Sequence, residues 1–240
     1  MSVLLLRLAG PLQAWGSSSK FNTRSTDREP TKSGVLGMIA SAMGRSRGES
    51  IDDLNDLRFG IRVDQEGELL RDFHMTHHPE DAKLIFVTDR HYLSDALFVV
   101  GLEGDDKLLH NIECAIKSPE YPLFLGRRAC PPTVPIVLGV RCVSLLDALR
   151  NEPWMAADWY RKRDLPDVNL RIVIDALDSD EFPITARDRP ISYSQTHRKH
   201  GLRNVVHCNA EPINNLLSKK LKPHTDHDSI ATVKAFNGDE

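Results

Sequence analysis

The chain has 240 residues, 40% hydrophobic and 27% charged, with a formal net charge of −3. That composition belongs to a globular protein with a sizeable core, and it excludes a disordered chain or a uniformly basic nucleic-acid binder. No apolar stretch reaches membrane-spanning length, and four cysteines without zinc-like spacing point to reduced thiols in a soluble cytoplasmic protein.

In chain order, SVLLLRLAG predicts a buried strand ended by Gly10-Pro11. A polar loop with Lys20, Arg24, Arg28 and Lys32 follows, and so long a cationic loop is uncommon without a function. TKSGVLGMIASAMG predicts a helix with one broad apolar stripe, stopped at Gly44. LRFGIRVDQEGELLRDFHM predicts two strands joined by a short Glu-Gly turn, and DALFVVGLEG another strand. DDKLLHNIECAIKS predicts a capped amphipathic helix. This order matches the split βαβ plan of ferredoxin-like and RNA-recognition-motif-like folds. Four prolines and two glycines in residues 121–139 predict an irregular loop entering a strand at residues 136–138. A short helix at 145–150 and strands at 170–175, 190–194 and 204–208 suggest a small β-rich second lobe. The polar, aperiodic end predicts a flexible tail over 218–240.

Charge is segregated along the chain. Residues 20–47 carry six cations against two anions, and residues 187–203 carry five against one. Residues 50–120 carry seven against sixteen. Basic segments that meet in space make an anion-binding face on an acidic body.

Four clusters carry candidate chemistry. In GPLQAWG, Gln13 both donates and accepts, and Trp15 offers either a stacking surface or core packing. Thr31-Lys32-Ser33-Gly34 opens a helix, whose N–H groups suit a phosphate, although a capped helix after a solvated loop explains it as well. In LGRRACP, Gly126 permits an unusual turn, and Arg127 and Arg128 carry two guanidinium forks matched to phosphate. The plain alternative there is an arginine pair on acidic neighbours. His74, His77 and His78 with Glu80 and Asp81 lack the spacing of a zinc motif and suit a polynucleotide-contacting arm or a solvated hairpin tip better. Finally, His197, Arg198, Lys199, His200 and Arg203 form a basic run, which alone is most simply a solvated face.

The segments LLLRLAGPLQAWG, PTKSGVLGMIASAMG, LRDFH, PLFLGRRACP and ARDRPIS resemble the CasD family. That family is the subtype I-E member of the CRISPR-associated repeat-associated mysterious protein superfamily. The resemblance runs from Leu4 to about Cys208. It implies an α+β fold, with a ferredoxin-like or RNA-recognition-motif-like body over residues 1–135 and a β-hairpin thumb at about 74–95. A small β-rich lobe over 136–217 would follow. It implies a non-catalytic RNA-binding subunit of the Cascade ribonucleoprotein in antiviral defence, capping the 5′ handle of CRISPR RNA. The implied partners are CRISPR RNA, the Cascade backbone subunits and the large subunit, with target DNA met only through the complex. No cofactor, metal or membrane is implied.

Under that resemblance, Arg24, Arg28, Lys32, Arg127 and Arg128 are expected on phosphates, and Gln13 and Ser33 on RNA backbone or bases. Trp15, Lys20, His74, Gly126, Arg198 and Lys199 complete the expected RNA-binding set. The rival reading is a metal-independent endoribonuclease processing precursor CRISPR RNA, with Tyr92, His74, His77, His78 and Lys83 as its acid–base groups. A third is a structural protein whose basic loops are incidental.

Overall fold

The computed structural model describes residues 2–16, 22–77, 81, 85–194 and 196–220. Lys20, His78, Glu80, Lys83 and most of the expected tail lie outside the described residues. The chain divides into two compact units, Met1–Ala156 with Leu170–Glu211, and Ala157–Asn169 with Pro212–Glu240.

The elements are β1 (Ser2–Ala9), β2 (Leu12–Gln13), β3 (Thr23–Arg24), α1 (Lys32–Ala42), α2 (Asp52–Asn55), β4 (Arg58–Gln65), β5 (Glu68–His77), β6 (Ile85–Ser94) and β7 (Leu97–Gly104). Then come α3 (Asp106–Lys117), β8 (Val137–Arg141), α4 (Leu145–Asn151), α5 (Asp158–Arg163), β9 (Asp167–Val168), β10 (Arg171–Asp175), β11 (Ile184–Ser192), β12 (Lys199–Asn209) and β13 (Ile213–Asn214). It is a mixed α and β fold with antiparallel sheets.

The first unit is built on a seven-stranded sheet in the order β11-β12-β10-β4-β7-β1-β8. Every neighbouring pair in it is antiparallel. Strand β1 is a continuous apolar run because both of its faces are covered. Leu4, Leu6 and Leu8 join the core that contains Val35, Leu36 and Ile39 of α1 and Leu109, Ile112 and Ile116 of α3. Val3 and Leu5 alternate to the other face. There Gly60 of β4 and Gly101 of β7 lie against Leu145 and Leu149 of α4. Burying a side chain such as Leu36 contributes about 1.5–3 kcal/mol, and the polar Thr31 fixes where the helix starts by accepting from Gly34 N–H at 3.2 Å.

The two strands expected around the Glu66-Gly67 turn are present, but β4 and β5 do not pair. Both edges of β4 are already taken by β7 and β10, and Gln65 donates to the Asp95 carbonyl. Strand β5 therefore leaves the seven-stranded sheet and pairs with β6 over ten residues, from Glu68 opposite Ser94 to His77 opposite Ile85. β2 and β3 add short antiparallel and parallel edges to β6. This hairpin begins six residues before the range read from sequence. Phe73, Met75, Ile85 and Phe86 are exposed on it.

The second unit holds α5 and the β9–β13 pair. Asn215 ties it together by donating to the carbonyls of Arg161 and Leu165. Helix α5 buries none of its residues, so it leaves no apolar stripe in the sequence, unlike the similarly short α4 with Leu145, Ala148 and Leu149 buried. Among the described residues no helix is long and apolar enough to cross a membrane.

Candidate nucleic-acid interface

The cationic loop is organised around Trp15. Its ring is only 1% exposed, so it belongs to the core and offers no face to a base. Gly34, in the first turn of α1, permits this packing, since a Cβ there would lie 2.8 Å from Trp15 Cε3. The indole Nε1–H donates to Gln13 Oε1 at 3.0 Å. Gln13 in turn donates from Nε2 to the carbonyls of Leu8 and Ala96. Gln13 is thus buried with its amide fully engaged inside the chain. Trp15 N–H donates to Thr26 Oγ1, and Trp15 O accepts from Asp27 N–H. These bonds fold residues 22–28 back over the strand end.

The LGRRACP turn meets this loop. Gly126 has φ +83°, and a Cβ there would sit 1.8 Å from the Ala14 carbonyl oxygen. Only glycine fits. The turn separates the two arginines. Arg127 lies 4.9 Å from the centroid of the Tyr92 ring. Its guanidinium donates to His91 O at 3.1 Å, to Arg24 O at 2.7 Å and to Ser25 O at 3.2 Å. Arg127 therefore fastens residues 24–25 to β6. Arg128 is exposed, as are Arg24 and Arg28, and among the described residues none of these three side chains has an ion pair.

A second cation cluster surrounds the start of α1, and here the charges are consumed internally. Lys32 is 5% exposed, and Nζ donates to Asp175 Oδ2 at 2.9 Å and to Leu57 O at 2.8 Å. The helix N-terminus already holds an anion, because Lys32 N–H donates to Asp188 Oδ2 at 2.7 Å. Arg203 donates to both oxygens of Asp188 and to Asp175 Oδ1, and lies 5.1 Å from the Phe59 ring centroid. Burial works against the Arg203 charge, but the two carboxylates outweigh it and hold its pKa above the usual value. The expected phosphate cradle at Lys32 is occupied by the chain's own carboxylates. Ser33 is buried, and its carbonyl accepts from the Tyr193 hydroxyl at 2.5 Å. Burial pushes that phenol's pKa far up, so it stays a donor.

Arg198 and Lys199 are exposed beside this cluster. Burial, then the charges of Arg198 and Arg187, lower the pKa of His200, and Arg198 also acts on Tyr193. Arg198 thus stands near the Ser33 end of α1. His74 is exposed on β5, opposite Thr88. His77 follows on the same hairpin, while Tyr92 is buried under Arg127. Among the described residues no group of three His, Cys, Asp or Glu is arranged to hold a metal.

The structure brings Arg24, Gly126 and Arg127 together, with Trp15 and Gln13 beneath them and Arg128 exposed next in the chain, while Arg28 is exposed on the loop between Asp27 and Glu29. It sets His74 apart on the hairpin. Sequence reasoning missed Asp175 and Asp188, the carboxylates that fix the second cluster. ARDRPIS contains Asp188, flanked by arginines, which was the available signal.

Comparison with known proteins points one way. The family model for CRISPR-associated protein (Cas_Cas5) matches residues 3–206. The chain is 33% identical over 211 residues to the CRISPR system Cascade subunit CasD of Escherichia coli (strain K12), covering 79% of this chain and 89% of that protein. A solved Cas protein is similar at 34% identity and a TM-score of 0.68, covering 92% of this chain and 100% of that one. A chain of a CRISPR RNA-guided surveillance complex is similar at 28% identity and a TM-score of 0.72, covering 97% and 99%.

Proposed function

The chain belongs to the CRISPR-associated Cas5 family, and from that premise we propose that it is a non-catalytic RNA-binding subunit of a type I-E Cascade complex. It caps the 5′ handle of CRISPR RNA and works with the backbone subunits and the large subunit. Target DNA is met through the assembled complex. The observation that carries this reading is the pair of exposed, unpaired cations Arg24 and Arg128 on the seam stitched by Arg127, with Arg28 exposed further along the same loop. Phosphate recognition needs such donors, and it needs them free of internal carboxylates.

The body reads as ferredoxin-like. The segment β4-β7-β1-β8 of the sheet, with α1 after β1 and α3 after β7, has the order and connections of that plan. The β5–β6 hairpin is the thumb, with His74 as an exposed contact toward the guide. A boundary at 135 between a body and a lobe over 136–217 would fall before β8, the fourth strand of that plan, and β10, β11 and β12 continue the same sheet, so the division is one of function alone, the later residues supplying Arg198 and Lys199. Gln13, Trp15, Lys32 and Ser33 act from beneath, holding the loop and helix that carry the exposed groups.

The test is reconstitution of the complex on CRISPR RNA with and without this subunit. The subunit is expected to protect the 5′ handle from a 5′ exonuclease and to leave repeat RNA uncut in EDTA. An equally accessible handle overturns the capping role. Specific cleavage, abolished by His74→Ala or Tyr92→Phe, overturns the non-catalytic role.

A further inference from the structure

A cavity of about 260 Å³ opens between residues 27–31 and the β10, β11 and β12 end of the large sheet. Its walls are apolar, with Pro30 on one side and Val173, Ile184 and Val205 on the other. Its polar lining is mixed. Glu29 uses Oε2 to pair with Arg171, and its other oxygen has no hydrogen bond among the described residues. Arg187 and His207 line the cavity without a side-chain hydrogen bond or ion pair among the described residues.

That combination selects among occupants. A phosphate needs donors only, and the carboxylates of Asp27, Glu29 and Asp188 repel it. A cationic side chain meets the unpaired charge of Arg187. An unpaired nucleobase suits both features, having apolar faces for the walls and an edge of donors and acceptors for the mixed lining. Arg28 is exposed between the lining residues Asp27 and Glu29, so a cation suited to phosphate adjoins the cavity.

We propose that this cavity takes one splayed base of the bound RNA, its exocyclic amine on Glu29 and its acceptor atoms toward Arg187 and His207. Adenine, cytosine and guanine carry such an amine, whereas uracil offers only its N3–H between two carbonyl oxygens that the carboxylate repels, so uracil is disfavoured there. The inference rests on the RNA-binding reading above.

The experiment uses the full chain in the reconstituted complex and a series of handle RNAs, each with one abasic position. One position is expected to cost the wild type about tenfold in affinity, and uridine there to cost nearly as much. Ala186→Phe, which fills the cavity, and His207→Ala, an exposed change that spares the fold, should each make that one abasic position nearly silent and leave the others unchanged. Identical abasic profiles for wild type and both variants overturn the proposal. So does an Ala186→Phe variant that loses subunit assembly while keeping the wild-type profile, since the occupant is then a protein side chain. Wild-type protein that binds no handle RNA in any background overturns the RNA reading itself, a different failure.

Discussion

The seam at Arg127 and the cluster at Lys32 are both dense in cations, yet they put them to opposite uses. At the Lys32 cluster, Lys32 and Arg203 are buried against Asp175 and Asp188, and their charge is spent on holding α1, β10, β11 and β12 together. At the seam, Arg127 bonds among the described residues only to carbonyls and an aromatic face, which leaves its own charge uncompensated, and Arg24 and Arg128 are exposed beside it. The difference teaches that a count of basic residues locates a cluster without saying which charges reach solvent. The partner carboxylate decides, and it stands more than 140 residues away for Lys32.

The largest effect expected from breaking this contrast is on stability at the Lys32 cluster. Asp188→Ala leaves Arg203 with one carboxylate and α1 without its anion, and should cost about 3–5 kcal/mol in denaturant unfolding. A change under 1 kcal/mol would mean that water reaches the network. Gly126→Ala comes next. The left-handed backbone and the Ala14 carbonyl leave no room for Cβ, so a loss of about 2 kcal/mol or more is expected, with handle binding weakened as Arg127 and Arg128 are re-aimed. Normal binding by this variant would separate the turn from the interface.

At the seam the prediction reverses. Replacing Arg24, Arg28 and Arg128 together by alanine should change stability by only about 0.5 kcal/mol, because the side chains are exposed and unpaired. Handle binding should fall sharply. Arg127→Ala should differ from both, weakening binding non-additively with Arg24→Ala, since Arg127 holds the Arg24 backbone. Strict additivity would make Arg127 an independent contact instead of a staple.

The smallest effect concerns pH. Burial and the arginine charges lower the folded pKa of His200, so the unfolded chain binds its proton more readily. The stability contributed by neutral His200 is fully present above about pH 6.5 and is lost as pH falls toward the lowered folded value. Since His200 is partly exposed, the change is modest, and His200→Gln should flatten the unfolding curve in that window. An unaltered pH dependence would show that other groups govern it.

Much of the fold was legible in the sequence for physical reasons. The short apolar run from Val3, stopped by Gly10-Pro11, marked a buried strand, and the stripe of α3 with its Asp105 cap marked both the helix and its start. The β5–β6 hairpin was less legible, because Phe73, Met75, Ile85 and Phe86 toward its tip are exposed and signal nothing buried. The partners of β4 and β5 were not legible for a related reason, since a turn sequence records that the chain reverses and leaves open which neighbour takes each edge. Within the site, adjacent Arg127 and Arg128 look alike in sequence. Their roles diverge because Gly126 turns the backbone and Tyr92, 35 residues away, receives one of them. Trp15 and Gln13 were expected on RNA, whereas their hydrogen-bond partners lie in the core.

The most direct test is the salt dependence of handle-RNA affinity for the reconstituted complex. The triple Arg24, Arg28 and Arg128 alanine variant should have a log–log slope shallower than wild type by about 2, from about 0.7 per phosphate on a single strand. Lys219→Ala with Lys220→Ala should leave the slope unchanged. Equal slopes for wild type and the triple variant would contradict the assignment of these exposed arginines to phosphate.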